Sequence, residues 1–413
     1  VSAAWWAARA AENAVGVLAE TLGRPFLAPG RLGRVASPAP GGAWVHAASL
    51  GETLGVPALG DALRARAPGR PLYFTATSAA GLARLRAREG EAAGMAPLDA
   101  PWIARRFLDR LRPGIVLLVE TELWPHWLLA CDERRLPVAV VSARLRERSL
   151  RGYRRLGRRF RRLIGGLAAV LAQDQEQASR WAEAGVPVER VEVTGNLKWD
   201  AIRAGRPDVV AARRRLALDP DRPLLVLGSV RPGEAEPLAR AWRALPAAVQ
   251  GGWNVVLVPR HPAAAELVAN EARAAGQAVA ESGSAGGAGA WGLERRLGVL
   301  ADYYAAADLA FVGGSLAPYG GHNPLEPAAL GVPALMGASY ETQRPAVAAL
   351  LAAGALRLVA SEADLRDAFL RLTGDEAERG RCGAAGIEAV RALQGVAPRT
   401  VERLAARGLW PPP

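Results

Sequence analysis

Lysine is almost missing from this chain. Among 413 residues, lysine and arginine together number 52, yet Lys198 is the only lysine. A compact point-charge ammonium is retained at one position, in the phrase TGNLKWD, where a planar guanidinium is no equivalent. Lys198 is therefore a candidate site residue. Cysteine is scarce too: Cys131 and Cys382 stand alone, too few for a disulfide framework or a cysteine metal site. A reducing, cytoplasmic location is expected. No apolar run is long enough to span a bilayer. The opening stretch VSAAWWAARAAENAVGVLAETLG lacks a basic n-region and carries Arg9, Glu12, Asn13 and Glu20, so a packed N-terminal helix is expected rather than a signal peptide. Trp5 and Trp6 leave an interfacial helix open as the alternative. The one Asp-x-Asp run, Asp219-Pro220-Asp221, precedes a strand instead of following one and reads as a turn, so no metal is expected.

What is present describes a soluble α/β protein. Hydrophobic residues make up 50% and charged residues 22%, which excludes a disordered chain. The length suits two domains, each with its own core. Apolar runs near Ala43–Ala47, Leu72–Ala76, Ile115–Val119, Val138–Val141 and Ala168–Ala172 alternate with helical patterns. Pro223–Leu227, Asn254–Val258, Leu309–Val312 and Val332–Leu335 repeat the arrangement further on. Near-continuous apolar strands between helices predict parallel, doubly wound sheets covered on both faces. The expected architecture is two Rossmann-like domains facing across a cleft, residues 1–202 and 203–413. Thr194–Pro207 is the expected hinge, and Ser282–Gly289 a flexible loop.

The most informative segment is Phe311–Gly337, FVGGSLAPYGGHNPLEPAALGVPALMG. It reads as a strand, a glycine-rich loop and a helix opening at Asn323. Gly313, Gly314, Gly320 and Gly321 allow close approach of a phosphate or ligand backbone. A helix N-terminus suits an anion, and Glu326 in its first turn suits a ribose diol. Asn323-Pro324-Leu325-Glu326 is equally a capping box in which Glu326 reaches back to its own N-cap. Taken alone, His322 is more simply a satisfied polar residue.

Ligands in such sheets bind beyond the carboxyl ends of strands, and the chemistry-bearing residues gather there. Ser49-Leu50-Gly51-Glu52 follows His46; Glu120-Thr121-Glu122 follows the third apolar run. Gly228-Ser229-Val230-Arg231 and Arg260-His261 end two later ones. All four histidines, His46, His126, His261 and His322, sit in or beside these loops. The net charge of +12 is concentrated: Arg144–Arg162 holds ten arginines against one glutamate. Such a cluster binds an anionic membrane, a nucleic acid or an acidic substrate. Only Tyr153 and Phe160 interleave it, which argues against nucleic acid; a solvated helix face is the plain alternative.

HAASLGE, ETELWP, SARLRERS, TGNLKWD, PRHP and GGHNPLEPAALGVP, in this order and spacing, resemble 3-deoxy-D-manno-octulosonate (Kdo) transferases. The resemblance runs from about Arg31 to Arg344 and includes MAPLDAPWIARRFLDRLRPGIVLLVETELWP. It implies a GT-B glycosyltransferase that moves Kdo from CMP-Kdo to a lipid A precursor with inversion, without a cofactor, at the inner face of the cytoplasmic membrane.

By the same resemblance Glu52 is the catalytic base, with Ser49 and Gly51 beside it. Its place in a first helical turn predicts a stabilised anion and a weak base; the alternative is a capping box, Ser49-x-x-Glu52. Arg260, with His261, is expected at the CMP phosphate, helped by Gly228 and Ser229. Asn323 and Glu326 are expected at the ribose, in a loop shaped by Gly320, Gly321 and His322. Glu120 and Glu122 bind Kdo hydroxyls or the acceptor, or else brace their loop. His46 and Lys198 line the site, the lysine facing the Kdo carboxylate. Arg151, Arg154, Arg155, Arg158 and Arg159 face the anionic membrane surface.

Four departures from the family pattern stand out. Val230-Arg231 replaces the usual Thr-His before Gly-Glu, so either Arg231 is expected to act as the phosphate cation or the local loop to differ. Ser142 stands where asparagine is usual, Ala338–Gln343 lacks the usual polar pattern, and the hydrophobic N-terminal anchor is absent or truncated.

Overall fold

The computed structural model describes residues 29–35, 39–155, 157–281 and 289–412, without the side chains of 29, 154, 155, 157–159 and 281. The stretch with Trp5 and Trp6, and residues 282–288 of the expected flexible loop, lie outside the described residues. The chain divides into two compact units, the described residues of Val1–Ala201 with Gly395–Pro413, and Ile202–Gln394.

The first unit is built on seven strands: β1 (Ala43–His46), β2 (Leu72–Ala76), β3 (Ala93–Met95), β4 (Ile115–Val119), β5 (Val138–Ala143), β6 (Ala169–Ala172) and β7 (Val191–Val193). They pair in the order β3-β2-β1-β4-β5-β6-β7, parallel throughout. Their side chains alternate between two cores, as the two-residue period of a strand requires. Trp44, Val116, Leu118 and Val140 enter one; Val45, Ile115, Leu117 and Val141 enter the other. Burial on both faces explains why these strands read as unbroken apolar runs.

The second unit repeats the plan with β8 (Leu224–Val230), β9 (Asn254–Pro259), β10 (Val279–Glu281), β11 (Trp291–Leu293), β12 (Leu309–Val312), β13 (Ala334–Met336) and β14 (Leu356–Leu358). The order is β10-β11-β9-β8-β12-β13-β14, again all parallel. Each unit is a doubly wound, Rossmann-like domain. Strand order reverses between β1 and β4 in the first and between β8 and β12 in the second. At such a switch point adjacent loops diverge to opposite faces and leave a crevice.

The domain limits differ from the sequence expectation in one respect: the last helix, Val396–Ala406, belongs to the first unit. The Asp200 carboxylate receives the Val396 and Ala397 N–H groups at 3.0 and 2.6 Å. Val396, Val401, Leu404 and Trp410 then complete the core beneath the helix Val56–Arg66. The Trp410 indole donates to the Leu63 carbonyl at 3.1 Å. Burying a ring of that size contributes on the order of 2–3 kcal/mol, which sequence position alone does not reveal.

Candidate functional site

In the first unit the switch-point loops gather carboxylates. Glu52 opens a single 3₁₀ turn, Glu52–Leu54, after β1. Its carboxylate accepts from the Ala48 N–H at 2.7 Å and the Ser49 hydroxyl at 2.9 Å, while Ser49 Oγ accepts from the Glu52 N–H at 3.3 Å. The capping contact is thus real, and it leaves acceptor capacity on both carboxylate oxygens. Gly51 is exposed and precedes the turn. The expected weak base is not what forms. Burial, then the neighbouring Glu120 charge, raise the Glu52 pKa against the lowering effect of its Ser49 and Ala48 hydrogen bonds, with Glu122 raising it further. One 3₁₀ turn supplies too little dipole to reverse this.

Glu120 and Glu122 follow β4. Glu120 has a left-handed backbone, φ 62°, a costly conformation for a residue with a side chain and one that clusters at functional sites. The Lys198 ammonium donates to its Oε1 at 2.6 Å. Lys198 is itself positioned from β5: Ser142, also left-handed at φ 49°, accepts the Leu197 N–H at 3.2 Å, and Asn196 Oδ1 accepts the Lys198 N–H at 3.0 Å. The departure to Ser142 therefore serves the lysine turn. Gly55 lets that turn close on the Glu52 segment, because a Cβ there would stand 2.5 Å from the Leu197 carbonyl.

Glu122 Oε2 accepts the Trp124 indole N–H at 2.9 Å and stands 3.5 Å from His46 Nε2. His46 is fully buried. Its Nδ1 meets Thr75 Oγ1 at 2.9 Å, and the Trp44 indole donates to that same hydroxyl at 2.8 Å. Tyr153, on the helix Glu147–Arg155, packs partly buried against the core, and burial, then Glu122, push its pKa up to about 12. His126 is bound elsewhere, to Asp99.

On the basic segment, Leu150, Phe160 and Ile164 are buried in the core while Arg151, Arg161 and Arg162 are exposed. The side chains of Arg154, Arg155, Arg158 and Arg159 lie outside the described residues. No helix among the described residues is long and apolar enough to cross a membrane.

In the second unit the switch point opens into a cavity of about 590 Å³. Ser229, Arg260, His322, Asn323 and Glu326 line it, so five of the sequence candidates come together. Ser229 is left-handed at φ 55° where β8 bulges against β9. Gly228 lies behind the wall, since a Cβ there would stand 2.2 Å from the Tyr304 hydroxyl. Asn323 does not open the helix as expected. The helix is Leu325–Ala329 with Pro324 at its N-cap, and Asn323, one residue earlier, accepts the Leu325 N–H on its Oδ1 at 3.1 Å. Glu326 makes no reach back to a backbone N–H; its Oε1 accepts from the Asn323 amide at 3.3 Å. The Glu326 side chain is open to solvent through the cavity, yet the surrounding walls raise its pKa by desolvation, against smaller opposing effects of Asn323 and Arg260.

His322 is the reverse case. Burial, followed by the charges of Arg260, Arg231 and His261, pushes its pKa down to about 4, so the ring is neutral at neutral pH. Its Nε2 has no hydrogen-bond partner among the described residues. Arg231 stacks over the Tyr319 ring at 4.3 Å, with its own Nε unpartnered, just outside the cavity wall. His261 is exposed at the end of β9.

The N–H groups of the glycine-rich loop are bonded within the protein. Gly314, Ser315 and Leu316 donate to Glu234, Gly320 to Ser339 Oγ, and Gly321 to the Gly314 carbonyl. Gly320 and Gly321, at φ 81° and 75°, shape this loop. Missed by the sequence reading are Arg296, Leu297 and Gly298 after β11, the wall residues Leu300, Ala301 and Tyr304, and Gln343. The strand β11 is only three residues long and gave no periodic signal. Asp219-Pro220-Asp221 is the expected turn, the Asp221 N–H donating to Asp219 Oδ1 at 3.0 Å.

Comparison with known proteins gives the family. Residues 27–201 match the family model described as 3-deoxy-D-manno-octulosonic-acid transferase (kdotransferase). The chain is 36% identical to the 3-deoxy-D-manno-octulosonic acid transferase of Bordetella pertussis, over 92% of this chain and 91% of that protein. It is 30% identical to that of Haemophilus influenzae, over 91% and 89%. In fold it is similar to UDP-GlcNAc 2-epimerase from Neisseria meningitidis bound to UDP-GlcNAc, with TM-score 0.59 at 15% identity, covering 88% of this chain and 99% of the epimerase. That likeness concerns architecture, whereas the sequence relationship carries the chemistry. The chain belongs to the Kdo transferase family, a glycosyltransferase of GT-B fold that transfers Kdo in lipopolysaccharide biosynthesis.

Proposed function

We propose that the donor is CMP-Kdo, the acceptor hydroxyl belongs to a lipid A precursor, and Glu52 is the base. The observation that carries this reading is the cavity at the β8/β12 switch point. It combines two guanidiniums, Arg260 and the Glu294-paired Arg296, with a neutral imidazole and an Asn323–Glu326 pair suited to a ribose. Arg260 receives the charge that develops on the departing CMP phosphate, where a fixed cation acts most strongly. Ser229 and Arg231 supplement it. Gly228, Gly320 and Gly321 shape the loops, and His261 and His322 complete the polar rim.

The bond from the anomeric carbon of Kdo to the phosphate oxygen breaks and CMP leaves with that electron pair. The acceptor oxygen attacks the opposite face and its proton passes to Glu52, which inverts the centre. A Glu52 of raised proton affinity suits this role better than the weak base anticipated from the sequence. Lys198 takes the Kdo carboxylate, Glu120 holds the lysine, and Glu122 with His46 orders the acceptor side. No metal takes part. The arginines of 147–162, Arg151 and Arg154 among them, with Arg155, Arg158 and Arg159, rest on the anionic inner surface of the cytoplasmic membrane. There each basic group near the surface is worth about 1 kcal/mol.

The test is a transfer assay with CMP-Kdo generated in place and a tetra-acylated lipid A precursor, in the presence of EDTA. Kdo-bearing product is expected from the wild type and not from Glu52→Gln. Absence of product with the wild type, or dependence on an added divalent metal, overturns the reading.

A further inference from the structure

Glu234 is fully buried, and no cation pairs with it among the described residues. A lone buried carboxylate is costly unless hydrogen bonds replace its hydration. Here four backbone N–H groups do so. Oε1 accepts from Ser315 at 2.7 Å and Leu316 at 2.8 Å; Oε2 accepts from Gly314 at 2.7 Å and Arg231 at 2.8 Å. Three of these donors belong to the glycine-rich loop after β12, and the fourth to the loop after β8. The loops are pressed together at the same place. Gly313 donates to the Gly228 carbonyl at 2.8 Å, and a Cβ on Gly313 would stand 2.5 Å from the Ser229 carbonyl.

We infer that Glu234 is the positioning residue of the donor site, a built-in anion that holds the β8 and β12 loops in the shape that presents Ser229, Arg231 and His322. The inference rests on the proposed donor reading and deepens it. Each carboxylate oxygen takes two N–H donors, an arrangement only an acceptor on both sides can satisfy. A glutamine would turn its NH₂ toward two N–H groups, leaving them unpaired and the loops free to part. Because the carboxylate fills the anion seat of the glycine loop, an incoming phosphate is directed to the side chains of the cavity and not to that loop's N–H groups.

Titration calorimetry with CMP tests this on the wild type, Glu234→Gln, and Val268→Ala, a core substitution on the helix Ala265–Ala274 that leaves the Glu234 hydrogen bonds in place. Glu234→Gln should bind CMP at least about tenfold more weakly, since charge-assisted bonds are lost and donors left unpaired. Val268→Ala, though also lowered in Tm, should keep wild-type affinity. Equal CMP affinity in Glu234→Gln and wild type overturns the inference, as does an equal loss in Val268→Ala. If Glu234→Gln fails to fold, hydrogen exchange on the wild type decides. The Gly314, Ser315, Leu316 and Arg231 amides should exchange as slowly as those of β8 and β12, and exchange at open-loop rates overturns it. A wild type that does not bind CMP refutes the donor reading, and the exchange result still tells whether Glu234 pins the loops.

Discussion

The two units are near-copies in topology and near-opposites in electrostatics. At the switch point of the first, Glu52, Glu120 and Glu122 crowd together with one lysine among them. At that of the second, Arg260, Arg231 and His261 stand near a histidine that burial first, and then their charges, keep neutral. On the proposed mechanism, one copy of the fold accepts the proton and the other the anion. Burial, reinforced by like charge nearby, has the same consequence in both: it moves the central group toward its neutral form. Glu52 gains proton affinity and His322 loses it. The proposed substitution, which releases a phosphate and consumes a proton acceptor, calls for such a division of labour.

The largest effect should come from removing the group that the acidic cluster tunes. Glu52→Gln is expected to lower kcat by about 10³-fold, the scale of general-base catalysis, with CMP affinity unchanged. Steady-state transfer and CMP titration together check this. Next is the basic half: Arg260→Ala should cost about 10²-fold in kcat/KM and weaken CMP binding in parallel. If CMP affinity holds while transfer falls, the guanidinium acts on the transition state alone.

A smaller and more specific effect follows from the acidic neighbours. Glu120→Gln removes a charge that raises the Glu52 pKa, so the acid limb of the kcat/KM profile should move to lower pH. Lys198→Met leaves the Glu120 charge unopposed and should move it the other way. Limbs that coincide with wild type would show that Glu52 does not govern the profile. The mildest expectation concerns stability. His322 protonates near the ordinary 6.5 when unfolded but only near about 4 when folded. Between those values the unfolded state binds more protons, so this contribution to stability is full above 6.5 and is lost as pH falls toward 4. Thermal melts should show a decline over that window that is shallower in His322→Asn.

The sequence reading located interior strands well and edges poorly. Leu72–Ala76, Ile115–Val119 and Leu309–Val312 were legible to the residue because strands buried on both faces are unbroken apolar runs. The three-residue strands β3, β7, β10, β11 and β14 were not, for they pair by backbone at or near sheet margins and need no apolar run. The same blindness hid Arg296–Gly298, which follow β11. Glu52, Lys198, Asn323 and Glu326 stood out by residue type and place. Glu234 was in view within the same loop, yet nothing in its spacing told that its partners lie some eighty residues onward.

By itself the sequence determined the layered α/β plan, the loops that hold the chemistry, and the family, because periodicity and motif are properties of neighbouring residues. Only the tertiary structure decided which charges meet. It placed Lys198 on Glu120, set Glu234 against the glycine loop, returned the last helix to the first unit, and raised the proton affinity of Glu52 where its place in a first helical turn suggested a stabilised anion. Proton affinity depends on burial and on charges from distant strands, and those are fixed only when the sheet brings its switch-point loops together.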